Sequence, residues 1–308
     1  MSARPERVVS LLPSATEIVC ALGALDRLVG ISHECDYPRQ VRDRTVLTRA
    51  RIRVDGSSRD IDEAVRAVVK NALSIYEVDE GALAALAPDL IVTQDLCEVC
   101  AVSLDDVRSA VARLADRSRI EIVSLRPTRL EHVLADVERV ALALGEAERG
   151  RAVRTALDQR IHDIAERAAR ASSRPRVASI EWLEPLMLGG TWMPELIELA
   201  GGTAVGVRPG EPAPTLGADA LAALEPDLIV IKPCGFSLER ALAERDVIEQ
   251  SIVAPASPKT RVYVTDGNAF FNRPGPRLVE SLEILAAALH PELFPDFSAK
   301  HGAILTTV

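Results

Sequence analysis

Residues 83–92 read LAALAPDLIV, and residues 221–230 read LAALEPDLIV. Nine of the ten letters agree, the exception being Ala87 against Glu225. Each copy passes from a helix-spaced apolar segment, through a Pro–Asp pair that breaks the helix, into a short apolar run. Such a run, bounded by breakers, fits a strand buried on both faces, as in a parallel sheet. A further strand pattern follows each copy after about thirty residues, at 121–125 and 261–265. Ahead of the copies, residues 7–12 (RVVSLL) and 176–180 (RVASI) each lead through a loop into a helical pattern. One supersecondary unit has been used twice.

Working outward, the first half carries strand patterns at 7–12, 28–32, 45–48, 90–93 and 121–125. Helical patterns around 14–24, 60–73, 79–87 and 104–115 separate them. This alternation predicts an α/β fold of two lobes, each built on a doubly wound parallel sheet. Between the halves, Leu130, Val133, Leu134, Val137, Val140, Ala141 and Leu144 recur at helical spacing before a charged continuation. One or two helices over ~40 residues would reach ~60 Å, with Gly145 as a candidate break. The expected organisation is an N-terminal α/β lobe (1–127), a long connecting helix (128–171) and a C-terminal α/β lobe (172–308). Ligands of open α/β sheets bind beyond the carboxyl ends of the strands, so a ligand cleft is expected between the lobes.

Composition narrows the function classes. Among 308 residues, 48% are hydrophobic and 26% charged but only 3% aromatic, so Leu, Val, Ile and Ala must fill the cores. A formal net charge of −9 excludes an ordinary nucleic-acid groove, which needs clustered cations. No apolar run reaches the ~18 residues needed for membrane insertion. No signal-peptide pattern opens the sequence, and five cysteines is an odd number in a chain too large to need disulfide staples. The expected location is cytoplasmic, or periplasmic or cell-surface for a chain whose leader has been removed. A monomer is expected.

The scarce aromatics concentrate after the predicted strands. Six of ten fall there: Tyr37, Trp182, Trp192, Phe236, Phe270 and Phe271. Together they suggest a flat, apolar ligand surface. Residues 266–277 (DGNAFFNRPGPR) add Asn272, Arg273 and Arg277, whose donors could hold a polar group of the ligand. Segments SHECDYP (32–38) and QDLCEVC (94–100) offer His33, Cys35, Cys97 and Cys100, the donor set of a tetrahedral site for zinc or another transition metal. Reduced packing thiols and a dithiol redox pair are the alternatives. Catalytic residues are not expected: there is no G-x-S-x-G elbow and no phosphate-loop glycine spacing.

The opening block RVVSLLPSATEIVCALGALDRLVGISHECDYP (7–38), the two PDLIV strands and the closing FNRPGPR (271–277) resemble the helical-backbone (class III) substrate-binding proteins of ABC importers. The vitamin B12 (cobalamin)-binding branch is the nearest match, and the resemblance spans essentially the whole chain. It implies a non-enzymatic binder of a corrinoid or other metal chelate, held between two lobes and passed to an ABC permease if the chain is exported. By position, the implied ligand contacts fall on Pro13, the stretch His33, Glu34 and Cys35, Arg49, Gln94, Trp182, and Phe270, Phe271, Asn272 and Arg273; the strand-end positions add Ser14, Tyr37 and Trp192 as candidate ligand-binding residues. Where the branch usually carries aromatics, this chain has Glu34, Arg49 and Gln94. The alternatives to a corrinoid binder are a metal-binding protein using the His/Cys cluster, and a corrinoid-processing enzyme using its thiols.

Overall fold

The computed structural model describes residues 4–70, 75–94, 104–112 and 120–308. The chain divides into two compact units: Met1–Gly56, Asp60–Pro127 and Glu131–Ala156 form one, while Ser57–Arg59, Thr128–Leu130 and Leu157–Val308 form the other.

In the first unit the strands are β1 (Val8–Ser10), β2 (Leu28–Ile31), β3 (Thr45–Val46), β4 (Thr48–Ala50), β5 (Tyr76–Val78), β6 (Leu90–Gln94) and β7 (Glu121–Leu125). Among the described residues they form a parallel sheet in the order β3-β2-β1-β6-β7, with β4 and β5 paired antiparallel beside it. In the second unit the strands are β8 (Arg176–Trp182), β9 (Met187–Leu188), β10 (Thr203–Ala204), β11 (Leu228–Ile231), β12 (Arg261–Thr265) and β13 (Leu305–Thr307). Their order is β10-β8-β11-β12-β13, parallel except for β13, with β9 antiparallel to β8. Both sheets are doubly wound, and the strand order reverses at β1/β6 in one and β8/β11 in the other. The apolar strand residues Val8, Val9, Leu90, Ile91, Val92, Leu228, Ile229 and Val230 are fully buried, as strands with helices on both faces must be.

The duplicated decapeptide has one structural role in both units. Asp89 Oδ2 accepts the backbone N–H of Arg7 at 3.0 Å, and Asp227 Oδ2 accepts that of Arg176 at 2.8 Å. The arginines answer from the strand starts: Arg7 Nε donates to the Leu86 carbonyl at 2.6 Å, and Arg176 donates to the carbonyls of Leu224 and Glu225. The one differing position, Ala87 or Glu225, takes a left-handed backbone (φ 40° and 46°) that turns the chain out of the helix before the proline.

The segment expected to be a long connector is two helices, Leu130–Ala143 and Ala147–Ala168. Gly145, at φ 72°, makes the break. At Gly150 an added Cβ would lie 2.4 Å from that of Ala141, so the second helix folds back closely on the first. Of the one or two helices expected, two form, with the break at Gly145, and because they fold back the ~60 Å reach is corrected to a hairpin whose longer arm has 22 residues, about 33 Å. The sequence pattern also missed β5, β9, β10 and β13, which are two or three residues long and too short to show a period. Among the described residues no helix is long and apolar enough to cross a membrane.

Two predictions follow from this packing. Asp89→Ala and Asp227→Ala should each lower stability by about 0.5–1.5 kcal/mol in urea unfolding, because each removes a hydrogen-bond acceptor from an exposed strand-start N–H. Asp136, on the first hairpin helix, is 3% exposed, and its burial raises the carboxyl pKa to about 6 against the lowering influence of Arg139 and His132. A raised carboxyl pKa means stability is lost as pH climbs from the ordinary 3.8 through about 6. Asp136→Asn should therefore be more stable than wild type above pH 6 and lose that advantage near pH 4, as measured by urea midpoints across that range.

Candidate functional site

In doubly wound sheets the ligand crevice lies at the carboxyl ends of the two strands where the order reverses. In the first unit that point is the end of β1 and β6. The helix Pro13–Ala21 starts directly after β1, with proline at its start, and Ser14 is 1% exposed there. Gln94 closes β6 and is also buried. Beside them, hydroxyls knit the loop after β2. Thr16 Oγ1 lies 2.8 Å from Ser10 Oγ and 3.1 Å from Cys35 Sγ. Thr48 Oγ1 accepts the His33 backbone N–H at 3.0 Å and lies 2.7 Å from His33 Nδ1 and 3.0 Å from Ser32 Oγ.

These bonds hold His33 and Glu34 in place. The His33 and Tyr76 rings are 5.2 Å apart, and the Tyr76 hydroxyl donates to Glu34 Oε1 at 2.8 Å. Partial burial lowers the His33 pKa, opposed by Glu34, and Nε2 is the ring nitrogen not tied to Thr48. Tyr37 is 48% exposed, while Arg49 is exposed and ion-paired to Glu77.

In the second unit the reversal point is the end of β8 and β11, where Glu181 meets Lys232. Lys232 is fully buried, and its Nζ donates to Glu181 Oε2 at 3.1 Å and to Asn272 Oδ1 at 3.0 Å. The Asn272 amide nitrogen in turn donates to the carbonyls of Lys232 and Gly267. Asn272 thus spends both ends of its amide on fixing the loop after β12.

Phe271 in that loop is left-handed (φ 66°), a costly conformation for a bulky residue. Its backbone is held from both sides: Trp192 Nε1 donates to the Phe271 carbonyl at 2.9 Å, and the Phe271 N–H donates to Ser281 Oγ at 2.9 Å. Trp182 meets Phe236 edge-on, with ring centroids 5.3 Å apart. Behind Phe270 lies His301, whose Nε2 is 2.8 Å from Glu283; Lys300 and Arg160 bind the same carboxylate.

The expectation that six aromatics form one ligand surface needs correction. Trp192, Phe236 and Phe271 are 6%, 2% and 0% exposed, so their rings fill the core of the second unit. Tyr37 is exposed, and Trp182 and Phe270 are half-buried. Arg273 is buried and donates to Asn268 Oδ1. Of the four donors expected for a tetrahedral metal site, Cys97 and Cys100 lie outside the described residues. His33 and Cys35 are engaged with Thr48 and Thr16, and among the described residues no group of three His, Cys, Asp or Glu side chains is placed to hold a metal. Sequence reasoning passed over Glu181 and Lys232. The available signal was that Lys232, one of four lysines in the chain, directly follows the buried LIVI strand.

The periplasmic binding protein family model matches residues 8–269. A cobalamin-binding protein of Halobacterium salinarum is 26% identical over 302 residues, covering 94% of this chain and 71% of that one. Among solved structures, the periplasmic vitamin B12-binding protein of Vibrio cholerae aligns with a TM-score of 0.67 at 20% identity, over 94% of this chain and 98% of that chain. A periplasmic heme-binding protein of Pseudomonas aeruginosa gives 0.68 at 22% identity, over 93% of each. These two likenesses establish the shared two-lobed α/β fold.

The Glu283 network gives a pH prediction. Burial would raise its pKa, yet His301, Lys300 and Arg160 together hold the carboxyl down to about 2, against an ordinary 4.5. That stabilisation is complete above about pH 4.5 and disappears as pH falls toward 2. Glu283→Gln should lower the thermal midpoint at pH 7, and the gap from wild type should narrow steadily between pH 4.5 and pH 2.

Proposed function

The chain belongs to the periplasmic binding protein family, and we propose that within this family of non-enzymatic solute binders it carries a corrinoid, of cobalamin or cobinamide type, to an ABC permease. The observation that carries this reading is the alignment of almost the whole chain with a relative described as cobalamin-binding. The strand-end surfaces support it. In the first unit Tyr37 is exposed in the loop that fixes His33 and Glu34, and in the second Trp182 is partly exposed next to the fixed Glu181, each a pairing of aromatic and polar groups suited to a large flat ligand with a polar rim. Glu34 and Arg49, where the branch usually has aromatics, make this surface more polar than the resemblance implies. Family membership favours the periplasmic or cell-surface side of the membrane over the cytoplasm as the place of action.

Calorimetric titration of the purified chain with cobalamin, dicyanocobinamide, haem and a ferric siderophore tests the proposal. One corrinoid should bind with a Kd of about 1 μM or tighter, a gain of about 8 kcal/mol. It should also quench the emission of Trp182 and Trp192, the chain's two tryptophans. Binding of haem or siderophore with no corrinoid heat would overturn it.

A further inference from the structure

We infer that Glu181 is a specificity-determining acceptor that selects ligands with amide N–H groups on their rim over ligands with carboxylates. This inference rests on the corrinoid reading and deepens it. Corrinoids carry acetamide and propionamide arms, whereas haem carries two propionates, so the sign of the protein's outward polar groups separates them.

Three observations carry the inference. First, Glu181 stands at the carboxyl end of β8, next to the end of β11, where the strand order reverses and the fold places its ligand. Second, its carboxylate is fixed. Lys232 Nζ donates to Oε2, and Lys232 is itself closely packed: an added Cβ at Gly189 would lie 3.0 Å from its Nζ and 2.3 Å from Ser179 Oγ. The Glu181 side chain nevertheless keeps 29% of its surface accessible, and Lys232 occupies one of the roughly four acceptor directions a carboxylate offers.

Third, the cations closest to this end of the sheet are buried. Lys232 has no accessible surface and Arg273 is buried against Asn268. Of the Lys232–Glu181 ion pair at the ends of β8 and β11, the accessible member is therefore the acceptor. An amide N–H meeting it makes a charge-assisted hydrogen bond, while a propionate meets like charge.

The test compares wild type with Glu181→Gln by calorimetry, using dicyanocobinamide and haem. The glutamine can still accept from Lys232, and Glu181→Gln combined with Lys232→Met removes both charges should the single variant fold poorly. Cobinamide affinity should fall about tenfold, the expected size for one charge-assisted hydrogen bond. Haem affinity should hold or rise, so the cobinamide-to-haem preference drops at least tenfold. If wild type binds cobinamide and the preference is unchanged in both variants, the role of Glu181 is overturned and the corrinoid reading stands. If wild type binds no corrinoid at all, both fall together.

Discussion

The architecture depends on the clamp between each Pro–Asp turn and the start of the neighbouring strand. Asp89 and Asp227 each accept backbone N–H groups from that strand, while Arg7 and Arg176 return bonds to the carbonyls that end the preceding helix. Register in a buried parallel pair is otherwise set only by apolar side chains that resemble one another closely, and a slip would carry all of them to new neighbours. The clamp fixes Leu90 opposite Val8 and Leu228 opposite Val177. Everything that happens at the far, carboxyl ends of these strands inherits that register, including the pairing of Glu181 with Lys232.

This also explains which parts of the molecule were legible from sequence. The PDLIV strands, the strand starts at Arg7 and Arg176, and the strands Glu121–Leu125 and Arg261–Thr265 are short, largely apolar or β-branched segments set between helical patterns and breakers, and each was visible. The helical hairpin was visible as a period, but its fold-back depended on one left-handed glycine and one close approach, at Gly145 and Gly150, which a period does not record. In the candidate site, proximity to strand ends was legible because topology dictates it. Which way a side chain faces was not, because Trp192 and Phe271 differ from Trp182 and Phe270 only in contacts with residues remote in sequence.

Scarcity of aromatics gives that distinction its meaning. A core filled with Leu, Val, Ile and Ala has little to stiffen long loops, and the second unit uses buried rings for the task. The Trp192 indole and the Ser281 hydroxyl grip the backbone of a phenylalanine that would otherwise avoid its left-handed conformation. Asn272 binds the same loop to Lys232 and Gly267. The result is a loop braced on both sides of Phe270, at Phe271 and at Gly267, by groups from other elements of the same unit.

The buried ammonium of Lys232 is the costly element in this arrangement. Removing an amine from water costs several kcal/mol, and a pairing with a carboxylate that is partly solvated recovers only part of it. An apolar residue of similar volume after the LIVI strand would serve stability as well or better. What such a residue could not do is hold a carboxylate and an asparagine amide in fixed directions at the point where the sheet reverses. The expense of burying Lys232 therefore has its return in geometry: it orients Glu181 and Asn272, the one an acceptor still open to solvent and the other the brace of the loop that carries Phe270.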